Sequence, residues 1–222
     1  MHWPVPAGVL RPFVPRPLEI DEHEGTSWIG LVPFGMHDVA LRGTPSLPWL
    51  SAFPEMNLRV YVRYQDRPGV WFISLDAARW PAVWVARRFV HLPYFLATMR
   101  ITVVGERIRY ASVRTGRGEV AFEATYWPTG GAMESKKRSL DHFLTERYAL
   151  FSRDSRDRLW TVDIHHRPWL LQSAAAEIHR NTVAIAQGLP PTTDRPLLHY
   201  SHRQDVVTWL PRLVGPAGRC EE

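Results

Sequence analysis

The chain has 222 residues, 45% of them hydrophobic, and a formal net charge of +5. That length suits one large domain spanning 1–222, with enough apolar side chains for a sizeable core. No apolar run reaches the roughly 18 residues of a membrane-spanning helix, and the single cysteine, Cys220, excludes a disulfide framework and a cysteine metal site.

The opening stretch, MHWPVPAGVLRPFVP, is interrupted by prolines and lacks a charged-then-apolar leader. It does not read as a signal peptide, so a cytoplasmic protein is expected. The aromatic and β-branched run TSWIGLVPF (26–34) predicts a strand. MNLRVYVRY (56–64) alternates cleanly, and the Pro-Gly at 68–69 reads as a turn into VWFISLDA (70–77), making a hairpin. WPAVWVARRF (80–89) predicts a helix with Pro81 near its start. MRITVV (99–104) and RIRYASVR (107–114) form a second expected hairpin, and TGRG (115–118) turns the chain into EVAFEATYW (119–127).

The stretch 128–138 reads as an exposed loop. SLDHFLTERYALF (139–151) shows a helical apolar stripe behind a Ser139 N-cap, with Glu146 and Arg147 as a structural ion pair. RLWTVDIHH (158–166) is a strand, and the alanine-rich 170–188, ending at Gly188, predicts a third helix. PLLHYSHRQDVVTWL (196–210) completes about nine or ten strands. Many short antiparallel strands with few helices give an α+β class, mainly β, built on a meandering sheet or barrel.

The positive charge is arginine spread from Arg11 to Arg219 without a dense run, so neither nucleic acid nor a membrane is expected as a partner. Lys136 and Lys137 are the only lysines, which confines lysine-based covalent chemistry to two positions. His165, His166, His199 and His202 lack a carboxylate at ligand spacing, and no metal is expected. Neither a serine-nucleophile elbow nor a phosphate-binding glycine loop occurs, and no cofactor is expected.

The informative feature is FPEMNLRVYV (53–62). Every second residue is polar: Glu55, Asn57, Arg59 and Tyr61 share one side of a strand. Two readings stand open. Either this row faces water and Met56, Leu58, Val60 and Val62 pack the core, or it lines a cavity together with a second polar row, Tyr110, Ser112 and Arg114. In the second reading a glutamate beside an arginine stays ionised indoors, and Arg59 or Arg114 can hold a carboxylate with two parallel hydrogen bonds.

Eight ordered motifs carry a resemblance. HWPVPAGVLRPFVPRPLEID, WIGLVPFGM, FPEMNLRVYV, PGVWFISLDA, ARRFVHLPYFLATM, YASVR, FLTERYALFS and HHRPWLLQ together resemble the bacterial YqjF-like proteins, over essentially the whole chain. Members usually carry a further stretch before the His-Trp motif, so a start upstream of Met1 is one expectation. That family is distantly similar to acetoacetate decarboxylases, which implies an antiparallel, cone-like β-barrel around a pocket. Those enzymes use a strand glutamate and a lysine that forms a Schiff base. Here Glu55 falls at the glutamate, and HLPYF (91–95) falls at the lysine motif with Tyr94 in place of the reactive lysine. A phenol cannot form an iminium, so the resemblance implies the cavity without that mechanism.

Three functions compete. The first is a binder of a small organic molecule, apolar or aromatic and open to an acid, held by Asn57, Arg59, Tyr61, His91, Tyr110, Ser112 and Arg114. The second is an acid–base enzyme with Glu55 as base, Tyr94 or His91 as donor and Arg59 as carboxylate holder. The third is a structural network in a protein acting through a partner. A homo-oligomer fits any of the three.

Overall fold

The structure is a computed structural model that describes residues 1–37, 52–116, 120–191 and 195–216; Cys220 and part of the expected 115–118 turn lie outside them. Fifteen short strands and three short helices are described. They run β1 (His2–Pro4), α1 (Ala7–Leu10), β2 (Glu19–Ile20), β3 (Trp28–Met36), β4 (Phe53–Tyr64), β5 (Arg67–Ala77), α2 (Trp80–Val85), β6 (Tyr94–Val104), β7 (Arg107–Arg114), β8 (Ala121–Pro128) and β9 (Met133–Glu134). Then come α3 (Leu140–Thr145), β10 (Ala149–Arg153), β11 (Arg158–His166), β12 (Leu170–Asn181), β13 (His199–Tyr200), β14 (Val206–Thr208) and β15 (Arg212–Pro216).

All strands join one curled half-barrel sheet whose main path is β1-β3-β4-β5-β6-β7-β8-β12-β13. A single bridge, His2 to Leu197, brings the first strand against the segment leading into β13. Most pairings are antiparallel, but β5 runs parallel to both β6 and β10. The concave side is filled by the fully buried Leu31, Met56, Leu58, Val60, Tyr110 and Phe122. Each such fully buried side chain contributes about 1.5–3 kcal/mol. The opposite face of β4 and β5 is covered as well, by α3, β10, β11 and the segment before β6, through Leu75, Leu92, Leu144, Leu150 and Val162.

Several expectations are corrected. The β4–β5 turn lies at Gln65–Asp66, with Gln65 at φ 54°, not at 68–69. Gly69 sits inside β5 because β10 crowds it: a Cβ there would lie 2.6 Å from the Phe151 ring and 2.7 Å from the Ala149 carbonyl oxygen. The helix at 139–151 stops after Thr145, although Ser139 does cap it, its hydroxyl accepting from the His142 amide at 3.2 Å. Residues 149–153 form β10, buried on both faces, which erases the period-two signal. The expected helix 170–188 is mainly a strand, β12. Its alanines stand beside large rings on β8, Ala175 opposite Trp127 and Ala176 opposite Tyr126. Small side chains are what that pairing admits, and the tertiary partner overrides alanine's helix preference. Only Ile185–Gln187 is helical there, closed by Gly188 at φ 83°.

Candidate functional site

Directly paired residues share a face of a sheet, which settles where the two polar rows point. Glu55 pairs with Ala77, and Ala77 with Leu96. The next residue, Ala97, pairs with Arg114, and Met99 with Ser112. Glu55, Asn57, Arg59 and Tyr61 therefore lie on one face. Tyr110, Ser112 and Arg114 lie on the other, with Met56 and Leu58. The two rows do not line one space; the β4 row faces away from the concave core and is buried by a second layer.

Glu55 is 4% exposed. The Tyr94 hydroxyl donates to its Oε2 at 3.0 Å. Tyr94 arrives from two strands away because a π-helical turn (Ala86–Val90) ends at His91, whose φ of 57° swings the chain into β6 beside β5. Ala77, between the two strands, carries only a methyl group and leaves room for the reach. Arg87 fixes the turn by donating to the Tyr94 carbonyl at 2.7 Å. Phe53, Ala77, Val83 and Leu96 pack around the pair and under α2. Burial lifts the Glu55 carboxyl from 4.5 to about 7, against the downward pull of the Tyr94 hydrogen bond. Tyr94 is pushed well above its ordinary value by burial and by the adjacent Glu55.

The expected Glu55–Arg59 partnership does not form. Four residues of strand separate them by roughly 13 Å. Asn57, between them, is 5% exposed and its Oδ1 has no partner. Arg59 donates from Nη2 to the Leu144 carbonyl at 3.2 Å and from Nε to the Tyr61 hydroxyl at 3.4 Å. That hydroxyl shares a 2.9 Å hydrogen bond with His2 Nδ1. Burial, then neighbouring charges including Arg59, keep His2 well below its usual pKa. The His91 ring lies 5.4 Å from that of Trp160.

On the concave face Arg114 is already committed. It donates from Nε to Asp76 Oδ1 at 2.7 Å and from Nη2 to Ser74 Oγ at 2.8 Å, with its guanidinium 4.1 Å from the centre of the Phe95 ring. Ser112 Oγ is buried without a partner. Tyr110 links the faces, its hydroxyl reaching the Glu55 backbone carbonyl at 2.6 Å. Sequence reasoning missed Ser74 and Asp76, although they alternate with Leu75 and Ala77 just as Glu55 and Asn57 alternate with their neighbours. It also paired Glu146 with Arg147. In the structure Glu146 accepts from the Trp169 amide at 3.0 Å, while Arg147 binds Asp21 at 2.6 Å.

Among the described residues no group of three or more His, Cys, Asp or Glu is placed to hold a metal ion, and no helix is long and apolar enough to cross a membrane. A hollow of about 340 Å³, lined by residues including Tyr64, Arg67, Phe151, Thr161 and Leu213, shares no residue with the Glu55–Tyr94 pair.

Comparison with known proteins agrees with this fold. The chain is 47% identical over 208 residues to the uncharacterized protein YqjF of Bacillus subtilis (strain 168), covering 94% of this chain and 86% of that one. Acetoacetate decarboxylase from Legionella pneumophila superposes with a TM-score of 0.64 at 15% identity, over 97% of this chain and 83% of that one. The enduracididine biosynthesis enzyme MppR complexed with pyruvate gives 0.59 at 16% identity, over 97% and 85%. These two show the acetoacetate decarboxylase-like fold. Residues 1–205 match the family of uncharacterized conserved proteins called DUF2071, and the chain belongs to that family.

Proposed function

We propose that the protein acts on a small organic molecule by proton transfer at Glu55 and Tyr94, without a lysine-bound intermediate. The observation that carries this reading is the 3.0 Å contact between the buried Glu55 carboxyl group and the partly exposed Tyr94 phenol, with no cation paired to the carboxyl among the described residues. A carboxyl poised at about 7 gives up and takes back a proton at neutral pH, as a general acid–base group must. Lys136 and Lys137 are exposed on the stretch after β9, whereas Glu55 is buried in β4, which argues against either as a Schiff-base nucleophile there. The pyruvate held by MppR supports a small organic ligand on this fold. Val83 of α2 packs in the same apolar cluster as Tyr94.

Binding without turnover is the second reading, favoured by the apolar wall of Phe53, Ala77, Val83 and Leu96. The two separate in deuterium exchange at carbons next to a carbonyl, followed by proton NMR with acetone and pyruvate as probes. Proton transfer predicts catalysed exchange that rises through an inflection near pH 7, and a loss of about 100-fold or more in Glu55→Gln. Equal exchange by Glu55→Gln and the unaltered protein defeats it, whereas binding of a probe with no exchange leaves the binder.

A further inference from the structure

The rest of the β4 row says something about the shape of the molecule that reaches Glu55. Arg63 and Arg147 each have a carboxylate partner, both on Asp21, at 3.0 Å and 2.6 Å, and Arg114 has Asp76. Arg59, partly buried on the same face as Glu55, has none among the described residues. Its two hydrogen bonds go to a neutral hydroxyl and a carbonyl and are long, at 3.4 Å and 3.2 Å. Asp21 is saturated by its two arginines, and His2 is held neutral. A planar fork with free donors and no counter-charge is suited to a two-oxygen anion.

Gly30 on β3 packs tightly beside it, with no room for a side chain. A Cβ on Gly30 would come within 2.9 Å of the Tyr61 hydroxyl, 3.3 Å of His2 Nδ1 and 3.4 Å of Arg59 Cγ. Midway between Arg59 and Glu55, the buried Asn57 Oδ1 lacks a donor, and an unsatisfied buried acceptor is costly. Along an extended strand Asn57 lies roughly 7 Å from each neighbour in the row.

Resting on the proton-transfer reading of Glu55, we propose that the ligand is elongated: its far end is an oxyanion held by Arg59, its middle offers a hydrogen-bond donor to Asn57, and its reacting end lies at Glu55 and Tyr94. A two- or three-carbon acid cannot touch both ends. A carboxylate and a phosphate ester share the chemistry that Arg59 recognises.

Calorimetric titration of the full chain with acetate, hexanoate, N-butyryl-β-alanine and hexyl phosphate tests this. Affinity is expected to rise at least about 10-fold from acetate to hexanoate and again several-fold to N-butyryl-β-alanine, whose amide N–H meets Asn57. Hexyl phosphate binding more tightly than hexanoate assigns the anion to a phosphate ester, and weaker binding assigns it to a carboxylate. Arg59→Gln is expected to weaken the amide probe about 30-fold, and Arg59→Lys, which keeps the charge and the fold but loses the fork, about 10-fold. Asn57→Ala removes the advantage of the amide probe over hexanoate and leaves hexanoate unchanged. Acetate binding as well as the long probes, Arg59→Lys matching the unaltered protein, or no probe binding at all overturns the proposal. The affinities read the anion site, whereas deuterium exchange in Glu55→Gln reads the proton-transfer step, so failure of the one and failure of the other give different results.

Discussion

Glu55 on β4 and Asp76 on β5 are both buried carboxyl groups in adjacent strands, 4% and 1% exposed, yet they face opposite sides of the sheet and differ in company. Asp76 has a guanidinium locked against it, with Ser74 taking another of the guanidinium's donors. Burial pushes Asp76 up and Arg114 pulls it back. Glu55 has a single phenol, and burial prevails, to about 7. Equal burial thus gives two different groups: one is half of an internal ion pair, the other a carboxyl without a counter-charge, raised to about 7.

The largest way to test that contrast is to strand Asp76. Arg114→Met leaves an unpaired acid in the concave core and is expected to cost about 3–5 kcal/mol in urea denaturation at pH 7. Adding Asp76→Asn should recover most of it; a double variant as unstable as the single one would mean the two groups are not coupled.

Next in size is the pH dependence set by Glu55. Its folded value of about 7 lies above the ordinary 4.5, so between these the unfolded chain has released a proton that the folded chain keeps. Stability therefore falls as pH rises through that window, by up to about 3 kcal/mol. Glu55→Gln removes the slope: it should match the parent near pH 4 and exceed it by that amount near pH 8. Parallel stability curves for the two proteins would place Glu55 in an ordinary, solvated setting.

Smaller, and sharper, is Tyr94→Phe. The hydroxyl stabilises the ionised carboxyl, so its loss should move the Glu55 titration further up by about one unit, or 1.4 kcal/mol. Carboxyl-carbon NMR reads the change, and a downward movement would contradict the hydrogen bond's sense.

Local pattern made some elements legible. The strands at 107–114 and 158–166 have the bounds that their residues suggest, and the alternation from Glu55 to Tyr61 is a real shared face. What the chain could not show locally is which face is concave. That depends on register carried across β4, β5, β6 and β7, and it separates Glu55 from Arg114. Asp76 was likewise hidden, because its partner is 38 residues away. The alanines of β12 misled for the same reason: their preference is decided by Tyr126 and Trp127 across the sheet. Tyr94 was legible as a replacement for lysine, but its distance from Glu55 arises from a left-handed residue at His91 that no propensity announces.

The bridge from His2 to Leu197 has a consequence for how the chain is made. On the ribosome, β1 emerges well before the residue that meets it, which follows nearly every other described strand. Until then that edge of the growing half-barrel is open to pairing with a neighbouring nascent chain, and the bridge forms late.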